Sequence, residues 1–134
     1  MSRALLQTVN DSPQNVEING ILSPGRVVRR YGCNCQLNGN GQEVRGEGYY
    51  KLSGTVSVQP TAAGDVVVLL QENGVPIPGA IAYGTAAAAG GYVTLPLEAT
   101  IRKGCCNDGA STITAVLQEG PGAVVNYSLR IDKD

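Results

Sequence analysis

The fold of this chain is decided by residues 50–83, which read YKLSGTVSVQPTAAGDVVVLLQENGVPIPGAIAY. From Tyr50 to Val58, apolar residues and one glycine alternate with lysine, serine and threonine. Successive side chains of a β-strand point to opposite faces, so this period of two predicts a strand with one buried face and one solvated face. Pro60 ends the strand, because proline has no N–H to donate to a neighbouring strand.

The next segment is apolar on both sides. The five central residues of Asp65–Glu72 are all apolar, which predicts that both faces are buried. Asn73-Gly74 suits a type I′ hairpin turn, and Pro76 and Pro78 place the returning strand at a sheet edge. One face of such a strand is core, so the other must meet a neighbouring element or another subunit. This argument predicts an oligomer interface at Val66, Val67, Val68, Leu69 and Leu70.

The rest of the chain repeats the strand pattern. Residues 92–97, 112–118 and 125–131 show the same alternation, and no long window carries a helical apolar stripe. We therefore predict an all-β fold, a single jelly-roll sandwich of about eight to ten antiparallel strands over residues 1–134. Residues 1–47 supply strands and loops whose placement the pattern leaves open, and 48–134 form the main body.

The composition favours an assembling protein. Charged residues make up 16% of the 134 residues, below the usual quarter for a soluble domain. The chain has no Phe and no Trp but 18 Gly, so the core must be aliphatic. A weakly charged chain of this kind is expected to hide surface in an oligomer.

The charge and the N-terminus exclude several partners. The formal net charge of −1 gives no general attraction to nucleic acid polymers or anionic membranes. Apolar runs are interrupted well before the ~20 residues that a membrane helix needs. The first residues lack a full signal-peptide core and cleavage site. We expect synthesis in the cytoplasm, from which the chain could still reach the outside inside a particle or after lysis.

The sequence argues against catalysis. It contains no histidine, which removes the commonest general base, the Ser-His and Cys-His pairs and every His-ligated metal site. No other nucleophile–base pair stands out. We therefore predict a protein that is not an enzyme, with no catalytic residues and no cofactor.

The four cysteines are Cys33, Cys35, Cys105 and Cys106. Four thiolates could bind zinc, but the Cys-x-Cys and Cys-Cys spacings differ from the usual Cys-x2-Cys knuckles. The cysteines could also pair as disulfides or cross-link subunits. We favour reduced thiols or cross-links between subunits over a metal site.

A basic cluster occupies Arg26–Tyr31. A strand here would place Arg29 and Arg30 on opposite faces, and Arg26 and Arg30 on the same face. In an oligomer, such arginines could converge on a small anionic ligand with Tyr31 beside it. The more ordinary interpretation is a solvated strand with ion pairs to Glu17, Glu43 or Glu47.

Five segments carry a resemblance to a known family. They are GYYKLSGTVSVQP (48–60), VVVLLQENGVPIPGAIA (66–82), YVTLPLEATIRKG (92–104), STITAVLQ (111–118) and VVNYSLRIDK (124–133). Their order and spacing resemble the jelly roll of tumour-necrosis-factor-type and complement-type heads. They are also similar to the heads of spore-surface collagen-like proteins and to phage head-fibre proteins. The resemblance implies a homotrimer that acts as a structural or adhesive head.

Two functions follow as hypotheses. The first is a non-enzymatic structural or surface-decorating protein of a phage particle or spore surface, with itself and a capsid or spore-coat protein as partners. The second is a cytoplasmic sponge that sequesters a small anionic ligand, such as a signalling nucleotide, at subunit interfaces. The position of the arginines separates them. A rim around a closed pocket favours the sponge, and an open surface favours the structural protein.

Overall fold

The computed structural model describes residues 4–32, 34–39, 41–103, 110–120 and 122–133. Across these ranges the chain forms twelve strands. They are β1 (Ala4–Asn10), β2 (Gln14–Val16), β3 (Gly20–Ile21), β4 (Arg26–Tyr31), β5 (Cys35–Asn38), β6 (Gly41–Arg45), β7 (Gly48–Pro60), β8 (Gly64–Glu72), β9 (Val75–Ala86), β10 (Val93–Lys103), β11 (Ala110–Glu119) and β12 (Gly122–Lys133).

The strands form two six-stranded antiparallel sheets. Sheet A has the order β10-β7-β12-β1-β4, with β2 paired to β12, and sheet B has the order β5-β6-β11-β8-β9, with β3 paired to β11. Strands that are distant in sequence, such as β1 and β12, are direct neighbours. The predicted all-β jelly-roll sandwich is confirmed. The strands beyond the expected eight to ten include the very short β2 and β3.

The core lies between the sheets and takes alternate residues from each long strand. On β7 these are Tyr50, Leu52, Val56 and Val58, as the alternation predicted. Tyr50 and Tyr127 are the large aromatic side chains of this otherwise aliphatic core. The Tyr50 hydroxyl donates to the backbone carbonyl oxygens at positions 45 and 46, which satisfies its polar end.

Two buried side-chain hydrogen bonds between described residues join the two sheets. In one of them, Lys103 of β10 donates to Ser111 Oγ of β11 over 2.7 Å. In the other, Gln42 of β6 donates its side-chain amide to Thr8 Oγ1 of β1 over 2.8 Å, and both side chains are buried. The Gln42 Oε1 and the Tyr127 hydroxyl are also buried and lack a well-aligned partner among the described residues. Burial raises the pKa of Tyr127, an effect that the neighbouring Gln42 partly offsets. A polar contact of this kind favours one alignment of the sheets over others.

Strand β8 corrects part of the interface prediction. Val66, Val68 and Leu70 are fully buried members of the core, so the prediction that they line an oligomer interface is wrong. Their side chains point toward sheet A and are not available to another subunit. Val67 and Leu69 lie on the outer face of sheet B, and their contact with another subunit stays a prediction.

The outer face of β8 is covered largely by its own sheet. The register places Leu69 between Val116 of β11 and Ile81 of β9, and places Val67 beside Tyr83. Apolar side chains directly opposite each other on one face of a sheet are in contact. This explains why Val67 and Leu69 are only 4% and 6% exposed in a single chain. The doubly apolar pattern of β8 therefore does not by itself require a partner subunit.

We expect Leu70→Ala to lower the free energy of unfolding by about 2–5 kcal/mol, because it opens a cavity in the core. Leu69→Ala removes the same atoms from the opposite face of the same strand and should cost less than half as much. Urea unfolding followed by circular dichroism gives both values. If the two variants lost the same free energy of unfolding, Leu69 would not lie on an outer face that is covered by its own sheet alone.

Candidate functional site

Strand β4 carries the four residues that were predicted to bind a ligand, and it is exposed along its whole length. It forms one edge of sheet A and, among the described strands, pairs with β1 alone. All six residues are exposed, on both faces, including the apolar side chains of Val27, Val28 and Tyr31. A sandwich strand normally buries one face in the core. The single chain therefore leaves β4 with apolar surface and three arginines open to solvent.

A bulge in β4 changes which arginines share a face. Gln7 of β1 pairs with Arg29, and the next residue, Thr8, pairs with Val27, so Val28 is an extra residue in β4. A β-bulge reverses the alternation of side chains beyond it. The predicted shared face of Arg26 and Arg30 is therefore wrong. Arg26 and Arg29 share the outer face of sheet A, and Arg30 lies on the opposite face, as predicted relative to Arg29.

The arginines differ in their partners. Arg26 forms an exposed ion pair with Asp11, with 3.1 Å between Nη1 and Oδ1. The hydrogen bond and charge of Arg26 lower the pKa of Asp11, and the same contact raises the pKa of Arg26. Arg29 donates to the carbonyl oxygen of Val28 over 2.9 Å. Within the described ranges, no carboxylate forms an ion pair with Arg29 or Arg30.

Glu43, one of the carboxylates expected beside the basic strand, has partners on β5 and β6 instead. Glu43 accepts hydrogen bonds from Asn38, Gln36 and Arg45, and the first and last of these are 2.9 Å long. These contacts, with that from Asn38 the largest, hold the pKa of Glu43 below its usual range. The carboxylate that does pair with an arginine of β4 is Asp11, the partner of Arg26. The two residues are 15 positions apart, and no sequence pattern linked them.

The outer face of sheet A is polar and uncovered in the single chain. A depression of about 370 Å³ crosses its centre and is lined in part by Gln7, Ser53, Glu98 and Arg130. Arg130 Nε lies 2.9 Å from Asp132 Oδ2. A second depression of about 440 Å³ adjoins the first between β7 and β10, and a third of about 270 Å³ lies where β9 and β10 meet.

The predicted ligand residues lie apart from the three depressions. Arg26, Arg29, Arg30 and Tyr31 line none of these three depressions. They lie on an open strand, which is the arrangement that we expected of a structural protein and not of an anion sponge. Glu98 and Arg130, which sequence reasoning did not select, are the charged groups that line the central depression. The alternation in β10 and β12 put them on the solvated face, but nothing in the sequence indicated that the two strands share a sheet.

The other side of the sandwich, where β9 and β10 meet, also exposes apolar surface. Val75, Ile81, Tyr83 and Tyr92 are all exposed, and Tyr83 and Tyr92 are 72% and 70% accessible. Strand β9 is an edge of sheet B and β10 is an edge of sheet A. The side formed by β9 and β10 is thus opposite the edge formed by β4.

Cys35 is the cysteine that the structure describes. It begins β5, is fully buried, and shares a row of sheet B with Val44 and Ser111. Burial raises the pKa of its thiol from 9.0 to about 11, and the nearby charges of Lys133 and Arg30 oppose this shift. Such a thiol is a poor nucleophile. Cys33, Cys105 and Cys106 lie outside the described residues, and in the described part no cluster of three or more metal-ligating side chains occurs.

Over the described residues, the structure has no helix with the length and apolar character needed to cross a bilayer.

Comparison with solved structures supports the fold. The globular domain of zebrafish complement 1qA matches with a TM-score of 0.69 at 9% identity, covering 96% of this chain and 94% of that chain. Eiger TNF from S. frugiperda matches with a TM-score of 0.70 at 8% identity, covering 98% and 91%. PRD1 vertex protein P5 matches with a TM-score of 0.55 at 14% identity, covering 96% and 71%.

No family model and no curated protein matches the chain by sequence. At these identities the structural likeness establishes the fold alone. The resemblance predicted from the sequence is confirmed at that level. The fold is the jelly roll of tumour-necrosis-factor-like and complement-like domains.

The raised pKa of Cys35 predicts alkaline destabilisation. The unfolded chain releases this thiol proton first, so the free energy of unfolding falls as pH rises from about 9 to about 11 and is unaffected well below that range. In reducing buffer, the loss between pH 8 and pH 10 should be about 1 kcal/mol smaller in Cys35→Ala than in the wild type. Urea titrations at both pH values measure it. The same loss in both proteins would contradict the assigned shift.

We expect the fold to survive removal of all four cysteines. A variant with Cys35→Ala and serine at Cys33, Cys105 and Cys106 should keep a cooperative thermal transition in reducing buffer. A structural zinc site would supply folding free energy directly, so its loss would unfold the chain. Circular dichroism melts of the variant, and of the wild type with and without a chelator, are the measurement. Melting of the wild type by the chelator would show that the thiols hold a metal.

Proposed function

We propose that this chain is a non-enzymatic structural protein that assembles as a homotrimer and decorates the surface of a phage particle or a spore. The observation that carries the proposal is β4, a strand whose six residues are all exposed although two valines and a tyrosine are among them. Exposed apolar residues that lie together mark surfaces where proteins associate, and a chain with few charges is expected to hide surface in an oligomer. A partner that covers β4 accounts for both properties.

The location of the exposed apolar residues favours a ring. One set lies on β4, and a second, Val75, Ile81, Tyr83 and Tyr92, lies on the opposite side, on and beside β9 and β10. The exposed residues Ile18, Ile21 and Tyr49 belong to neither set. Two different patches on opposite sides of one molecule suit a heterologous contact, in which each copy presents a different surface to each neighbour. Such contacts close into a ring when the rotation between copies permits it. The likeness to complement and TNF domains favours three copies.

The likeness to a vertex protein favours a place on a particle. PRD1 vertex protein P5 shares the fold over 96% of this chain. A ring of jelly rolls leaves its ends and outward faces free to contact a capsid or coat protein. Under this proposal the chain is made in the cytoplasm and reaches the surface as part of the particle.

The anion-sponge alternative gains no support from the single chain. It needs arginines that converge on an enclosed site, whereas Arg26 is held by Asp11 and Arg29 and Arg30 lie on opposite faces of β4. A site shared between copies is still an outcome that the following experiment can detect.

Native mass spectrometry of the purified protein should show three chains as the main species at micromolar concentration, with no bound small molecule. A monomer under these conditions would contradict the proposal. A bound nucleotide or other anion that disappears in Arg30→Ala would instead favour the sponge, because charge-assisted bonds to phosphate contribute roughly 1.5–3 kcal/mol each.

A further inference from the structure

The strand register aligns five outward-facing residues in one row across sheet A. Gln7 of β1 pairs with Arg29 on one side and with Arg130 on the other. Arg130 pairs with Ser53, and Ser53 pairs with Glu98. Neighbouring strands are about 4.8 Å apart, so the row extends about 19 Å from β4 to β10. It begins on a guanidinium at one edge of the sheet and ends on a carboxylate at the other.

Both terminal charges are unused within the single chain. Arg29 and Glu98 are exposed, and neither forms an ion pair with any described residue. Arg130, in the middle of the row, is neutralised by Asp132. The two ends of the row therefore carry opposite charges that are too far apart to meet in one molecule.

We propose that in the assembled protein Arg29 of one copy forms an ion pair with Glu98 of the next copy. This inference rests on the proposed self-assembly. Rotation about an axis that runs along the strands keeps each row at its own level. The β4 end of a row then meets the β10 end of the same row in the neighbouring copy.

The neighbouring rows explain why this pair sets the alignment of the copies. One adjacent row begins at Arg26 and ends at Pro96, and the other begins at Tyr31 and ends at Thr100. Of these three rows, the central one has opposite charges at its two ends. A slip of two residues, about 7 Å, would place Arg29 against an uncharged side chain. Complementary charges of this kind fix register and exclude wrong contacts.

Charge reversal tests the pair. Arg29→Glu and Glu98→Arg each place like charges at every interface of the ring. We expect each to raise the protein concentration at half-assembly by about tenfold or more. The double variant restores opposite charges and should assemble within about threefold of the wild type. Glu17→Arg is the matched control, because Glu17 is an exposed carboxylate between β2 and β3, which pair with the central strands β12 and β11 and not with either sheet edge. It should assemble like the wild type.

Analytical ultracentrifugation over a concentration series gives all five values, and circular dichroism verifies that each variant is folded. A wild type that stays monomeric refutes the proposed function itself. A wild type that assembles while both single reversals assemble equally well overturns only the Arg29–Glu98 pair. Weakened single variants that the double variant does not rescue overturn the pair as well.

Discussion

The pairing of β12 with β1 on one side and β7 on the other is the interaction on which the rest of the structure depends. It places the N-terminal and C-terminal strands side by side at the centre of sheet A. Each row across the sheet passes through β12, so its register fixes the level of every side chain on both faces. The core contacts of Leu129 and Ile131 and the outward position of Arg130 follow from the same alignment. A shift of one residue would exchange the two faces.

The sequence was sufficient to predict which face of a strand is buried where the alternation within that strand decides it. The alternation from Tyr50 to Val58 identified the buried face of β7 correctly. It was insufficient where pairing between strands decides. The extra residue at Val28 exists only relative to β1, so the face shared by Arg26 and Arg29 could not be read from spacing. The cover over Leu69 comes from Val116 and Ile81, which are distant in sequence and meet only in sheet B.

Strand β4 combines two properties that act in opposite directions. Its arginines and its bulge are features that protect a sheet edge from uncontrolled pairing with other strands. Its exposed valines and tyrosine are the kind of surface that association buries. An edge with both properties suits contact through side chains with one specific partner.

The central claim is that another copy of the chain covers β4, and hydrogen–deuterium exchange tests it most directly. Exchange of the peptide that contains residues 26–31 should slow when the protein concentration is raised through the range of assembly, because the contact restricts opening of this edge. Exchange in β11, inside sheet B, should stay constant over the same range. If residues 26–31 exchange at one rate at all concentrations while the protein assembles, β4 is not at the interface and the account is wrong.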